Sequence, residues 1–121
     1  DGIFNGMIFS EMLAVKKKKM SGLIADIEKK YGKFYYKRID QPLSSNDLKK
    51  ELIDLAGNLN EVAGFKVVKK DMLDGCKLIF TNGWLLIRAS GTEPLLRIYT
   101  ETFGEDSTDA ILDDVKRKFK I

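Results

Sequence analysis

Histidine is absent from the 121 residues, which removes the commonest general base and the commonest zinc ligand. Cysteine occurs once, at Cys76. No disulfide can form within the chain, and the cytoplasm is the compartment this cysteine usage points to. No apolar stretch approaches the length of a membrane span and nothing resembles a signal peptide, so no membrane partner is expected. Charge of one sign is not in excess: 21 Lys and Arg face 18 Asp and Glu, a formal net of +3. That balance is too weak to argue for nucleic acid, for which a strongly basic face is needed, and it suits a small anionic ligand. A metal constellation is missing too. Asp113 and Asp114 are helix neighbours pointing in different directions, with no third ligand in register.

The rest is ordinary for a soluble globular protein, with 44% hydrophobic and 32% charged residues. The length allows one modest core, or one domain with an appendage. The first helix is read over residues 3–15. Ile3, Phe4, Met7, Ile8, Phe9, Met12, Leu13 and Val15 cover most of its circumference, the pattern of a helix buried on more than one side. Since nothing upstream is left to bury it, the pattern also suggests truncation or a dimer face. Lys16–Lys19 read as a solvated helix end that complements the helix dipole. A second helix is expected from a Ser21 cap to Tyr31, with Met20, Leu23, Ile24, Ile27 and Tyr31 as one stripe and Gly32 as its stop. A strand follows at 34–39, then Asp40-Gln41-Pro42 as a linker.

A second domain is read over 44–121. A capping pattern at Ser44–Asp47 opens a helix lined by Leu48, Leu52, Leu55 and Ala56 and stopped by Gly57. Strands are expected at 65–70, 76–81, 84–88 and 95–102, with Asn82-Gly83 as the hairpin turn. A last helix is capped by Asp106 or Ser107 and packs through Ile111, Leu112, Val115 and Phe119. The expected fold is α+β: a mainly antiparallel four-stranded sheet with helices on one face.

The densest chemistry lies in Arg88-Ala89-Ser90-Gly91-Thr92-Glu93-Pro94-Leu95-Leu96-Arg97. Arginine offers a planar fork that matches two phosphate oxygens. Ser90 and Thr92 add O–H donors, and Gly91 allows backbone N–H groups to turn inward as an anion nest. Pairing with Arg88 opposite Leu95 puts Arg88, Leu95 and Arg97 on one face. Glu93, repelled by a phosphate, is expected to turn away and orient Arg97, or to reach a sugar hydroxyl. A bare Ser-Gly-Thr turn is common, so the information lies in the full ten-residue pattern. Trp84 and Tyr99 are read as packing residues, though either could border a sugar, and Cys76 as a small buried hydrophobe.

R-A-S-G-T-E-P-L-L-R-I-Y-T-E resembles the phosphate-binding loop of the C-terminal domain of the α-D-phosphohexomutases, the family of phosphoglucomutase and phosphomannomutase. T-N-G-W-L-L-I-R and the opening D-G-I-F-N-G-M-I-F-S-E-M-L-A are similar to the same family. The resemblance implies that residues 1–43 end a preceding α/β domain, with a linker, and that 44–121 form the phosphate-binding domain. It implies a parent enzyme, an intramolecular phosphotransferase that interconverts hexose 1-phosphate and hexose 6-phosphate through a phosphoserine and a bisphosphorylated sugar. Arg88, Ser90, Gly91, Thr92 and Arg97 would bind the substrate phosphate. The family's serine loop, magnesium loop and sugar-selecting loop have no match here. Serine, Mg2+ and sugar selection would therefore belong to N-terminal domains of the same chain, and the fragment alone would be inactive. A phosphoglucosamine mutase, whose loop is closely similar, and a stand-alone phosphosugar-binding module are the other readings.

Overall fold

Alternation of apolar and polar residues organises most of the chain after residue 34. The computed structural model describes residues 1–121, which divide into two compact units, Asp1–Lys33 and Phe34–Ile121. No helix is long and apolar enough to cross a membrane.

The first unit holds α1 (Gly2–Lys16) and α2 (Met20–Tyr31). The Asp1 carboxylate caps α1 by accepting from the N–H groups of Ile3 and Phe4, satisfying donors that a helix start leaves open. No residue of α1 is buried. In α2 only Leu23 is, so Met20, Ile24, Ile27 and Tyr31 form the expected stripe but leave it exposed. The expected Ser21 cap is not used, because α2 begins two residues earlier, behind Lys19. Gly32 ends it at φ 90°, a backbone conformation glycine adopts without strain.

The second unit is α+β and its sheet has five strands, not the four expected. These are β1 (Tyr35–Pro42), β4 (Lys69–Asp71), β5 (Cys76–Phe80), β6 (Gly83–Ala89) and β7 (Leu95–Thr102), in the order β1-β7-β6-β5-β4 and all antiparallel. Two departures explain the extra strand. The run 35–42 is taken up by β7 along its whole length, so Asp40, Gln41 and Pro42 are strand rather than linker. Pro42 is tolerated because β1 is an edge, where a missing N–H breaks no ladder. The expected strand over 65–70 is instead two short ones in different sheets. β3 (Phe65–Lys66) pairs with β2 (Glu61–Val62), and β4 joins the main sheet.

One face of the sheet is covered by α3 (Asp47–Asn58) and α4 (Glu105–Phe119). Leu78, Leu85, Ile87, Leu96 and Ile98 point into that layer and are fully buried against Ala56, Ile111, Val115 and others. The period of two sends their neighbours Lys77, Trp84, Leu86, Arg88, Arg97 and Tyr99 to the other face, which neither α3 nor α4 covers. In α3 the buried residues are Leu52 and Ala56 while Leu55 is exposed. The Ser44–Asp47 cap does not form, and Gly57 lies inside the helix. In α4 the stripe Ile111, Leu112, Val115 and Phe119 is buried as expected. Gly104, not Asp106 or Ser107, is its N-cap, and Thr108 accounts for part of the start by bonding Thr102 Oγ1 at 2.8 Å and donating to the Tyr35 carbonyl at 3.0 Å.

The hairpin between β5 and β6 pairs Phe80 with Gly83, so Thr81 and Asn82 form its loop, one residue before the expected turn. Gly83 has a different task. A Cβ there would lie 2.1 Å from the Glu101 carbonyl oxygen, so the β6–β7 approach requires glycine.

Candidate anion-binding site

The loop end of the β6–β7 hairpin sets the site. Arg88 stands directly opposite Arg97, and Ala89 opposite Leu96. The register expected from sequence, Arg88 opposite Leu95, is off by two residues. A slip of two preserves which face each side chain occupies, so both guanidinium groups still lie on the face opposite α3 and α4. Like charges opposed across a strand pair are unfavourable, and here each has a carboxylate nearby. Arg88 Nε is 3.0 Å from Asp74 Oδ2, and Arg97 Nη2 is 3.6 Å from Glu93 Oε2. Glu93 therefore sits against Arg97, one of the two positions expected of it. Asp40 on β1 pairs in register with Arg97. Its carboxylate accepts two hydrogen bonds from Arg38, at 2.6 and 2.5 Å. Those bonds, with a smaller contribution from the Arg97 charge, hold the Asp40 carboxyl below its ordinary pKa against the opposing effect of desolvation. The Nε atom of Arg97 is buried without a hydrogen-bond partner, a costly state for a cationic donor.

Between the two arginines the loop is closed by its own backbone. Ser90 N–H donates to the Leu95 carbonyl at 3.0 Å and Leu95 N–H to the Glu93 carbonyl at 2.8 Å. Glu93 N–H donates to Ser90 Oγ at 3.3 Å. Ser90 is 3% exposed, so its hydroxyl shapes the loop from inside. Gly91 and Thr92 occupy the exposed tip. Gly91 is not among the glycines with positive φ, and no atom lies within 4 Å of where its Cβ would be. The alternating handedness of a backbone nest is thus not adopted here, and the space above Gly91 is open.

Two supports come from outside the motif. Lys49 of α3 donates to the Ser90 carbonyl at 2.7 Å, and Leu43 N–H donates to the Pro94 carbonyl at 2.8 Å. Helix and first strand therefore hold opposite stems of the loop. Sequence reasoning missed Lys49, Asp40 and Asp74. The helical period could have placed Lys49 one residue from the apolar stripe, but no sequence signal pairs Asp74 with Arg88. Gly75 makes that pair possible: at φ 87°, a Cβ on it would lie 2.3 Å from the Ile87 carbonyl oxygen. The β4–β5 turn therefore rests on β6 only with glycine there.

The remaining candidates also find places. The Trp84 ring carries the Lys77 ammonium 4.5 Å from its centre, and its N–H donates to Glu101 at 3.2 Å. Tyr99 lies under the Arg38 guanidinium at 5.3 Å. Cys76 is fully buried, and burial pushes its thiol pKa up, away from reactivity. No group of three or more Cys, Asp or Glu side chains comes together as a metal-ligand cluster. Asp114 is instead structural. Burial alone would raise its pKa, but hydrogen bonds from Lys118, the Ala63 N–H and Arg117 outweigh that and hold it at about 2.

Comparison with known proteins gives the family and the fold. Residues 10–118 match the family model described as phosphoglucomutase/phosphomannomutase, C-terminal domain. A phosphoglucomutase/phosphomannomutase of Thermococcus kodakarensis is 35% identical over 113 residues, covering 93% of this chain and 23% of that protein. A phosphoglucosamine mutase of Methanococcus maripaludis is 30% identical over 112 residues, covering 93% of this chain and 24% of its own length. A solved structure from Thermus thermophilus, of a protein given provisionally as a phosphomannomutase, superposes with a TM-score of 0.70 at 24% identity. It covers all of this chain, which in turn covers 22% of it, and at that identity it speaks for the fold alone. The chain thus spans about a quarter of the length of the curated relatives it matches. On its loop, its sheet and the match over residues 10–118, the chain belongs to the phosphoglucomutase/phosphomannomutase C-terminal domain family.

Proposed function

We propose that this chain supplies the phosphate anchor of an enzyme that interconverts hexose 1-phosphate and hexose 6-phosphate through a phosphoserine and a bisphosphorylated sugar. The observation that carries the reading is the opposition of Arg88 and Arg97 at the mouth of an exposed Gly91-Thr92 tip. Two cations held side by side at a cost are what a phosphate dianion needs. Arg88 and Arg97 would grip the phosphate that is not reacting, the Thr92 hydroxyl and the exposed backbone of Gly91 and Thr92 would complete the contacts, and Ser90 would keep the loop closed. None of these groups selects a sugar, which suits an anchor for a substrate bound in two opposed orientations. Fixing the phosphate meets the orientational entropy cost at binding, before the chemical step, and closing the domain over the substrate excludes competing water.

The phosphoserine and magnesium are assigned to parts of the parent enzyme outside this chain. When bound there, the ion would neutralise charge on the transferring phosphoryl group. In the same reading α1 and α2 close the preceding domain, which would cover the exposed Ile3, Phe4, Met7, Ile8 and Phe9. The 121 residues alone are expected to bind phosphate and to catalyse nothing. A phosphoglucosamine mutase is the second reading, favoured by the relative of that name, and it uses the anchor in the same way.

Arg88→Ala in the complete enzyme tests the proposal. Loss of a charge-assisted contact predicts a fall in kcat/KM of about 10- to 100-fold with the melting temperature nearly unchanged. Activity near wild type would remove Arg88 from the anchor.

A further inference from the structure

Asp74 lies outside the phosphate motif, yet its carboxylate oxygen is 3.0 Å from Arg88 Nε. Resting on the anchor reading above, we propose that Asp74 is an internal competitor for Arg88, a carboxylate that occupies the guanidinium when the loop is empty and weakens its hold on phosphate when the loop is filled.

The geometry separates this role from simple orientation. The Arg38–Asp40 pair, on the same face of the sheet, is bidentate and aligned, with hydrogen bonds of 2.6 and 2.5 Å. Arg88 and Asp74 are at contact distance without an aligned hydrogen bond; they form an ion pair between side chains 44% and 65% exposed. A loose pair of this kind acts through its charge more than its direction. The backbone that carries the carboxylate is nonetheless held beside Arg88, because the turn rests on Ile87 and Arg88 through Gly75, where no Cβ fits. Release is also provided for. Asp74 lines a shallow cavity of about 140 Å³ with Asp71, Leu73, Lys77 and Leu86, so a displaced carboxylate has room on the side where Lys77 offers another cation. An anchor that must let go of a phosphate during each reorientation benefits from a built-in substitute anion, since departure then leaves Arg88 with its partner restored.

Removing a negative charge one side chain away from a bound dianion strengthens binding by about three- to tenfold at low ionic strength, and salt screens the gain. The experiment titrates inorganic phosphate into the 121-residue chain and follows the amide resonances of Ser90 to Glu93, for wild type, Asp74→Asn, Asp74→Glu, Arg88→Ala and the Asp74→Asn/Arg88→Ala pair. Asp74→Asn is expected to tighten binding by that factor, with the gain shrinking at 0.5 M salt as Debye screening sets in, at roughly 4 Å. Asp74→Glu should stay within about twofold of wild type, and the gain should vanish when Arg88 is also removed, as coupling through one guanidinium requires. Unchanged or weaker binding in Asp74→Asn, alongside lost binding in Arg88→Ala, would overturn the competitor role and leave the anchor standing. If Arg88→Ala binds as wild type does, or no variant binds at all, the anchor reading fails and takes this inference with it.

Discussion

Ile87 and Arg88 are adjacent in β6 and live in different environments. Ile87 is fully buried under the helices, while Arg88 stands on the bare face, nearly half exposed. The same division runs through every long strand of the sheet. On β7, Leu96 and Ile98 face the core, while Arg97 and Tyr99 face outward. One face therefore supplies the folding free energy, and the other is free to carry charge, including two opposed arginines that a self-sufficient core would exclude. Stability and binding should separate along the strand, residue by residue.

The sharpest break in that comparison is Ile87→Ala. It leaves a cavity in the covered layer and should cost about 3–4 kcal/mol in urea denaturation, against about 0.5 kcal/mol or less for Arg88→Ala on the other face. Equal losses at the two positions would mean that the bare face is also a stability element. Gly83→Ala comes next. Its Cβ would meet the Glu101 carbonyl at 2.1 Å, and prising β6 from β7 should cost about 1–3 kcal/mol, read as a lowered melting temperature. An effect of similar size, confined to acid pH, tests the buried carboxylate Asp114, which belongs to the covered layer. Its folded pKa of about 2 lies below the ordinary 3.8. Its contribution of roughly 2 kcal/mol is therefore complete above pH 4 and lost as pH falls toward 2. Asp114→Asn should flatten that acid limb in a pH series of denaturant midpoints, whereas a limb unchanged in the variant would place the acid sensitivity elsewhere.

Those faces were largely legible in the sequence, since alternation in 84–88 and 95–102 and the stripe of α4 report burial directly. The motif arginines were legible too, through their residue types. Register was not. Arg88 opposite Leu95 and Arg88 opposite Arg97 bury the same side chains, so the hydrophobic pattern cannot choose between them. The strand at 34–39 was legible, but its extension through Asp40, Gln41 and Pro42 and its place in the main sheet were not, because those three residues look like linker in isolation and become strand only when β7 offers partners. Asp74 and Lys49 reach the site through tertiary approach, across 14 and 41 residues of chain, and no local signal encodes that. The caps of α2, α3 and α4 were misread for a related reason. Ser21 and Ser107 fall inside their helices, where packing sets the first turn and outweighs the preference of a single hydroxyl.

The pairing of β1 with β7 also bears on how this polypeptide can be cut. Were the chain severed at Ser44, where composition invites it, β7 would lose eight partners from Thr102 to Leu95, and Pro94 would lose the Leu43 bond that steadies the end of the loop. An apolar-backed strand with its hydrogen-bonding edge laid bare is a template for aggregation. The shortest soluble piece that keeps the loop intact must therefore retain Tyr35.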